Sequence, residues 1–146
     1  MVNISWITEQ IAVSGAFFDD DIGFLRRRGV DAIIDLRSEY CDNQEQIEKC
    51  GMQFLHIEVD DCDSPTKRQL EEIFKFVEPL LNKGKKVLIH CQNGCGRSPL
   101  VAVAIISKRG MLIPEAVSLV KEKNPWTGFT EHQEKFIYTE LNDLSQ

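Results

Sequence analysis

The stretch Val87-Leu88-Ile89-His90-Cys91-Gln92-Asn93-Gly94-Cys95-Gly96-Arg97-Ser98 decides how this chain is read. An apolar run of strand type ends on a cysteine. Two glycines follow, then an arginine six positions after the cysteine, then a hydroxyl, and a helical pattern begins at Pro99. A chain that turns from strand to helix through a Gly-containing loop points several backbone N–H groups at one place. Those donors and the positive end of the helix dipole form an anion site. Cys91 at the lip of such a site is expected as a thiolate nucleophile, because the same donors favour negative sulfur. Arg97 adds a planar fork able to grip two oxygens of one phosphate. A bare Cys-x5-Arg spacing is a weak signal; the strand before it and the helix after it give it weight.

Working outward, the 146 residues suit one domain spanning 1–146, with 42% hydrophobic and 27% charged residues, as in soluble globular proteins. The formal net charge of −6 argues against nucleic acid or an anionic membrane as a partner. No run is long and apolar enough to span a bilayer, and Met1 to Val13 lacks the layout of a secretory signal. The five cysteines, Cys41, Cys50, Cys62, Cys91 and Cys95, are odd in number and have neither disulfide-framework nor zinc-site spacing. A reduced cytoplasmic monomer without metal or cofactor is expected.

Trp6 to Val13 reads as a strand or short hairpin ending at Ser14-Gly15. Asp19 to Arg28 reads as a helix with Ile22, Leu25 and Phe18 inward, stopped by Gly29. Val30 to Leu36 is a buried strand, Asp42 to Cys50 a helix, and Phe54 to Val59 an alternating strand. Ser64 to Asn82 carries Leu70, Ile73, Phe74, Val77, Leu80 and Leu81 at helical spacing, with Ser64 as expected N-cap and Pro65 in the first position. Helices are expected over 99–108 and from Pro114 to about Lys123. A last helix should open on a Thr130-x-x-Gln133 capping box, with Phe136, Ile137, Leu141 and Leu144 inward. Strands alternating with helices, then helices alone, give an α/β fold: a central four- to five-stranded, mostly parallel sheet flanked by about six helices. In such folds ligands sit beyond the C-terminal end of a central strand, where Cys91 falls.

The loop His90-Cys91-x5-Arg97-Ser98 resembles the signature of the cysteine-dependent protein tyrosine phosphatases, and the chain as a whole is similar to a small dual-specificity phosphatase. The resemblance implies metal-free hydrolysis of phosphotyrosine, and of phosphoserine or phosphothreonine, on protein substrates. Cys91 is then the nucleophile, and Gln92, Asn93, Gly94, Cys95, Gly96 and Arg97 cradle the phosphate. The residues alone leave Asp60, Asp61 and Asp63 all open as the general acid. The family's Asp-x3-Pro spacing fits Asp61 and Pro65, 30 residues before Cys91. Ser98 either donates to the leaving sulfur or caps the helix. His90 is expected to bond loop carbonyls and hold the cradle.

Gln133 either orients the attacking water or serves the capping box. Cys95 is a small residue in a tight loop or the disulfide partner of oxidised Cys91, with Cys62 as rival. Trp126 and Phe129 either wall the pocket or pack the core. Pro99 replaces the family's commoner glycine, which a first helical turn tolerates. Neutral Gln92, Asn93 and Cys95 argue against a highly charged phosphoinositide. Retention of the nucleophile, arginine and acid argues against a non-catalytic phosphoresidue-binding module.

Overall fold

The computed structural model describes residues 2–144, apart from the side chain of Leu144, so the inward placement expected there lies outside the described residues. The strands are β1 (Ile4–Trp6), β2 (Ile11–Ser14), β3 (Ala32–Arg37), β4 (Gln53–Val59) and β5 (Val87–His90). They lie in the order β1-β2-β5-β3-β4. β1 runs antiparallel to β2, and every other pairing is parallel. The helices are α1 (Ile22–Arg27), α2 (Gln44–Lys49), α3 (Lys67–Asn82), α4 (Arg97–Lys108), α5 (Ile113–Lys123) and α6 (Glu131–Phe136). A π-helical turn over Ile137–Leu141 continues α6.

The period-2 alternation of the strands sorts the core into two layers. Val13, Ile34, Leu36, Val87 and Ile89 face the larger layer, built with α3 to α6. Ala12, Ile33 and Leu88 face the smaller one, with Ile22 and Leu25 of α1 and Ile47 of α2. α4 is buried from Arg97 to Ser107. Its apolar sequence all round fits a helix enclosed between sheet and neighbouring helices.

Several local expectations are corrected. Phe18 is 82% exposed, because Asp19–Asp21 form a 3-10 turn before α1 and swing it off the buried face. α3 begins at Lys67, capped by Thr66. The Thr66 hydroxyl accepts from the Gln69 N–H, and the Gln69 side chain accepts from the Thr66 N–H. This reciprocal pair outcompetes Ser64 and leaves Pro65 before the cap. α4 begins at Arg97 with Gly96 at its cap position, so Ser98 lies inside the helix.

Because β5 inserts between β2 and β3, Ser14, Asp35 and His90 stand abreast at one end of the sheet. The loops leaving all four parallel strands meet there. Replacement of Thr66 by Ala should lower stability by about 1 kcal/mol, whereas Ser64→Ala should cost under about 0.5 kcal/mol. Urea unfolding of the two variants checks this, and the reverse order would return the cap to Ser64.

Candidate active site

The loop after β5 curls around the Cys91 sulfur. Cys91 is 2% exposed. Its Sγ accepts from the Gly94 N–H at 3.3 Å and lies 3.3 Å from the Ser98 hydroxyl oxygen. Gly94 has φ +70°, and a Cβ there would stand 2.8 Å from the Gly15 nitrogen, so only glycine fits. The loop end of β2 supports the curl, with the Ala16 N–H donating to the Gln92 carbonyl. Asn124 is buried behind the loop and donates to the Gly94 carbonyl at 2.9 Å. The Gly128 N–H donates to the Cys95 carbonyl at 2.8 Å.

Arg97 opens α4 and is 2% exposed. Its Nη1 and Nη2 donate to the two carboxylate oxygens of Glu39, each at 2.8 Å, and Nη1 also donates to the Val59 carbonyl. The hydrogen bonds from Arg97 hold the Glu39 carboxyl down at about 2, and the same pair raises the Arg97 pKa. Asp61 approaches the other side of the fork, with Oδ1 at 3.7 Å from Nη2. Of Asp60, Asp61 and Asp63, Asp61 is the one at ion-pair distance from Arg97. Asp63 turns instead to His132, at 2.9 Å.

Beneath the loop lies a buried charged group that joins β3 to β5. Arg37 donates through Nε and Nη2 to the two Asp35 oxygens and through Nη2 to Asp42. Its Nη1 reaches the Gln92 side-chain oxygen at 3.2 Å. His90 is fully buried, with Nε2 2.5 Å from Asp42 Oδ2 and Nδ1 3.2 Å from the Cys91 carbonyl. Ligand-type atoms of Asp35, Asp42 and His90 cluster within 4.8 Å. The Arg37 guanidinium already supplies their positive charge, so the set does not call for a metal ion.

The structure thus brings Cys91, Ser98, Arg97, His90 and Asp61 to one end of the sheet. Gln133 touches the same region, with its amide oxygen accepting from the Thr130 N–H and its amide nitrogen donating to the Asp63 carbonyl. Cys95 is half-buried and donates to the Asn93 carbonyl. Burial, and then the neighbouring Cys91 and Asp61, pushes its thiol up, which disfavours the thiolate that disulfide exchange requires. Trp126 is 65% exposed, while Phe129 packs against the core. Glu39, Arg37, Asp35, Asp42 and Asn124 belong to no motif of the sequence. Their one sequence signal is Asp35-x-Arg37 closing an apolar strand, since charges in a buried run need partners.

Residues 11–111 match a protein-family model described as a polymorphic toxin system DSP-PTPase phosphatase. The chain belongs to this DSP-PTPase phosphatase family. It is similar to the protein-tyrosine-phosphatase IBR5 of Arabidopsis thaliana, 31% identical over 85 residues, which cover 58% of this chain and 32% of that protein. It is also similar to the tyrosine-protein phosphatase pmp1 of Schizosaccharomyces pombe, 34% identical over 79 residues, covering 53% and 28%. The chain spans about a third of the length of these curated relatives. Among solved structures, Tk-PTP in its active form matches with TM-score 0.86 at 32% identity, over 96% of each chain. The kinase associated phosphatase KAP, at TM-score 0.84 and 20% identity over 99% and 96% of the two chains, shares the DSP-PTPase fold.

The Glu39–Arg97 pair carries a pH signature. A carboxyl held at about 2 in the folded chain, against 4.5 ordinarily, stabilises the fold fully above 4.5 and loses that contribution as pH falls toward 2. Urea midpoints measured across that window should fall more steeply for the parent than for Glu39→Gln. Parallel curves would show that the pair contributes nothing to the fold.

Proposed function

We propose that the chain hydrolyses phosphate monoesters of protein tyrosine, and of serine and threonine, through a phosphocysteine intermediate. The observation that carries this is the Cys91 sulfur, held by the Gly94 N–H and the Ser98 hydroxyl in the loop that ends at the Arg97 fork. The thiolate attacks phosphorus and a P–S bond forms as the P–O ester bond breaks. The departing oxygen takes the carboxylic proton of Asp61. Loop N–H groups and Arg97 hold the three equatorial oxygens through this step. Water then attacks phosphorus and gives its proton to the Asp61 carboxylate. The P–S bond breaks, and the thiolate leaves against the Ser98 hydroxyl as inorganic phosphate departs.

Arg97 need not surrender Glu39 to bind phosphate. Glu39 fixes the guanidinium plane, which leaves the fork's remaining N–H edge for substrate. Beside the cradle runs a cleft of about 790 Å³ that includes Asp19, Asp20, Glu39 and Tyr40. That acidic wall disfavours a polyphosphorylated headgroup and supports the phosphoprotein reading. The reading needs no metal or cofactor, and it extends to a monomer in a reducing cytoplasm, where Cys91 stays a thiol or thiolate.

Hydrolysis of p-nitrophenyl phosphate in EDTA and reductant should be lost in Cys91→Ser and blocked by vanadate in the parent. Asp61→Asn should lower turnover of phenyl phosphate about 10²- to 10³-fold. A folded, reduced parent without turnover on aryl phosphates or phosphopeptides would overturn the proposal.

A further inference from the structure

The segment that carries Asp61, between β4 and α3, has little internal framework. The Asp63 N–H donates to the Asp60 carbonyl, and the Asp61 and Asp63 carboxylates each accept from the next residue's N–H. Cys62 sits in the left-handed region at φ +66°, which disfavours a side-chain-bearing residue. What holds the segment comes from elsewhere. The Thr130 hydroxyl donates to the Cys62 carbonyl at 3.1 Å, and the Gln133 amide nitrogen donates to the Asp63 carbonyl at 3.0 Å. His132 Nε2 lies 2.9 Å from the Asp63 carboxylate and 3.2 Å from the Ser64 hydroxyl. All three residues belong to the opening turn of α6, some 70 positions away along the chain.

Gln133 is the centre of this strap. It is 1% exposed, and its two amide ends are already committed, the oxygen to the Thr130 N–H and the nitrogen to the Asp63 carbonyl. Its flank fills the space beside Gly96, where a Cβ would meet the amide at 2.8 Å. One side chain therefore touches the phosphate loop, the acid segment and the α6 cap. These two bonds fix the amide plane and leave one N–H and one lone pair over.

Resting on the phosphatase reading above, we propose that Gln133, assisted by Thr130 and His132, is a positioning residue that keeps the Asp61 carboxyl at the leaving-group oxygen. General-acid transfer requires the acid within hydrogen-bond reach of that oxygen, so a segment without its own framework needs this external hold. Loss of the hold acts on proton delivery. It therefore matters for a leaving group that must be protonated and little for one that departs as a stable anion.

Gln133→Glu separates this role from a merely structural one. Glutamate preserves the capping box through its carboxylate oxygen, and it replaces the donor facing the Asp63 carbonyl with an acceptor. The readout is the ratio of kcat/KM for phenyl phosphate to that for 2,4-dinitrophenyl phosphate, in which any general weakening of the cradle cancels. The ratio should fall about tenfold. In an Asp61→Asn background the same substitution should leave the ratio unchanged, because the proton donor is already gone. The surface variant His132→Ala, which leaves the core intact, should shift the ratio about two- to threefold in the same direction and carries the test if Gln133→Glu does not fold.

An equal loss on both substrates would overturn the proposal. So would a fall in kcat alone with a pre-steady-state burst, which would place Gln133 at the water step. Absence of turnover in the parent, or an Asp61→Asn variant that still discriminates nothing between the substrates, would remove the underlying reading and this proposal with it.

Discussion

Everything at the active end of the sheet rests on how the buried Arg37 guanidinium is satisfied. A charge enclosed in a protein interior is strongly unfavourable unless opposite charges and hydrogen bonds replace its water. Arg37 meets Asp35 on its own strand, Asp42 at the entry to α2 and Gln92 in the phosphate loop. Asp42 in turn meets His90, whose other ring nitrogen faces the Cys91 carbonyl. The side chain of Tyr40 lies over the guanidinium at 4.8 Å. β5, its neighbour β3 and the loop between β3 and α2 are thereby locked to one another through buried charged groups.

Under the proposed function, this arrangement lets an acidic protein offer a site for a dianion. Its two innermost arginines are each held by carboxylates, Arg37 by Asp35 and Asp42, and Arg97 by Glu39. Within the loop the Gly94 N–H is directed at the Cys91 sulfur, and Arg97 keeps an N–H edge that Glu39 and Val59 do not take. An anion site of the kind proposed depends on local geometry rather than overall charge.

How far the sequence alone reveals this differs from part to part. Elements whose identity is set by local pattern were legible. β5 spans the residues expected of it, and the Thr130–Gln133 capping box forms as its spacing requires. Boundaries decided by competition between equivalent signals were not. Ser64 and Thr66 are both good caps, and Gln69 alone decides between them. The loop carrying Cys91 and Arg97 is visible because cysteine, glycines and arginine are contiguous. Arg37 reaches the site from the end of β3, and Glu39 and Asp42 from the loop between β3 and α2, and their roles depend on β5 inserting between β2 and β3, a fact of topology that no local window contains. Gln133 was visible as a residue of interest, but its grip on Asp63 joins segments that only the folded chain brings together.

Behind the phosphate loop a further link runs to the edge of the sheet. The Ser5 hydroxyl on β1 donates to the Asn124 side-chain oxygen, and the Asn124 nitrogen donates to the Gly94 carbonyl. A three-residue edge strand is ordinarily among the freest places for a lineage to vary. Here it is coupled through one buried amide to the curvature of the loop that holds Cys91. Drift at position 5 would therefore be felt at position 124, and the two should change together over evolutionary time, a covariation with its physical origin at glycine 94.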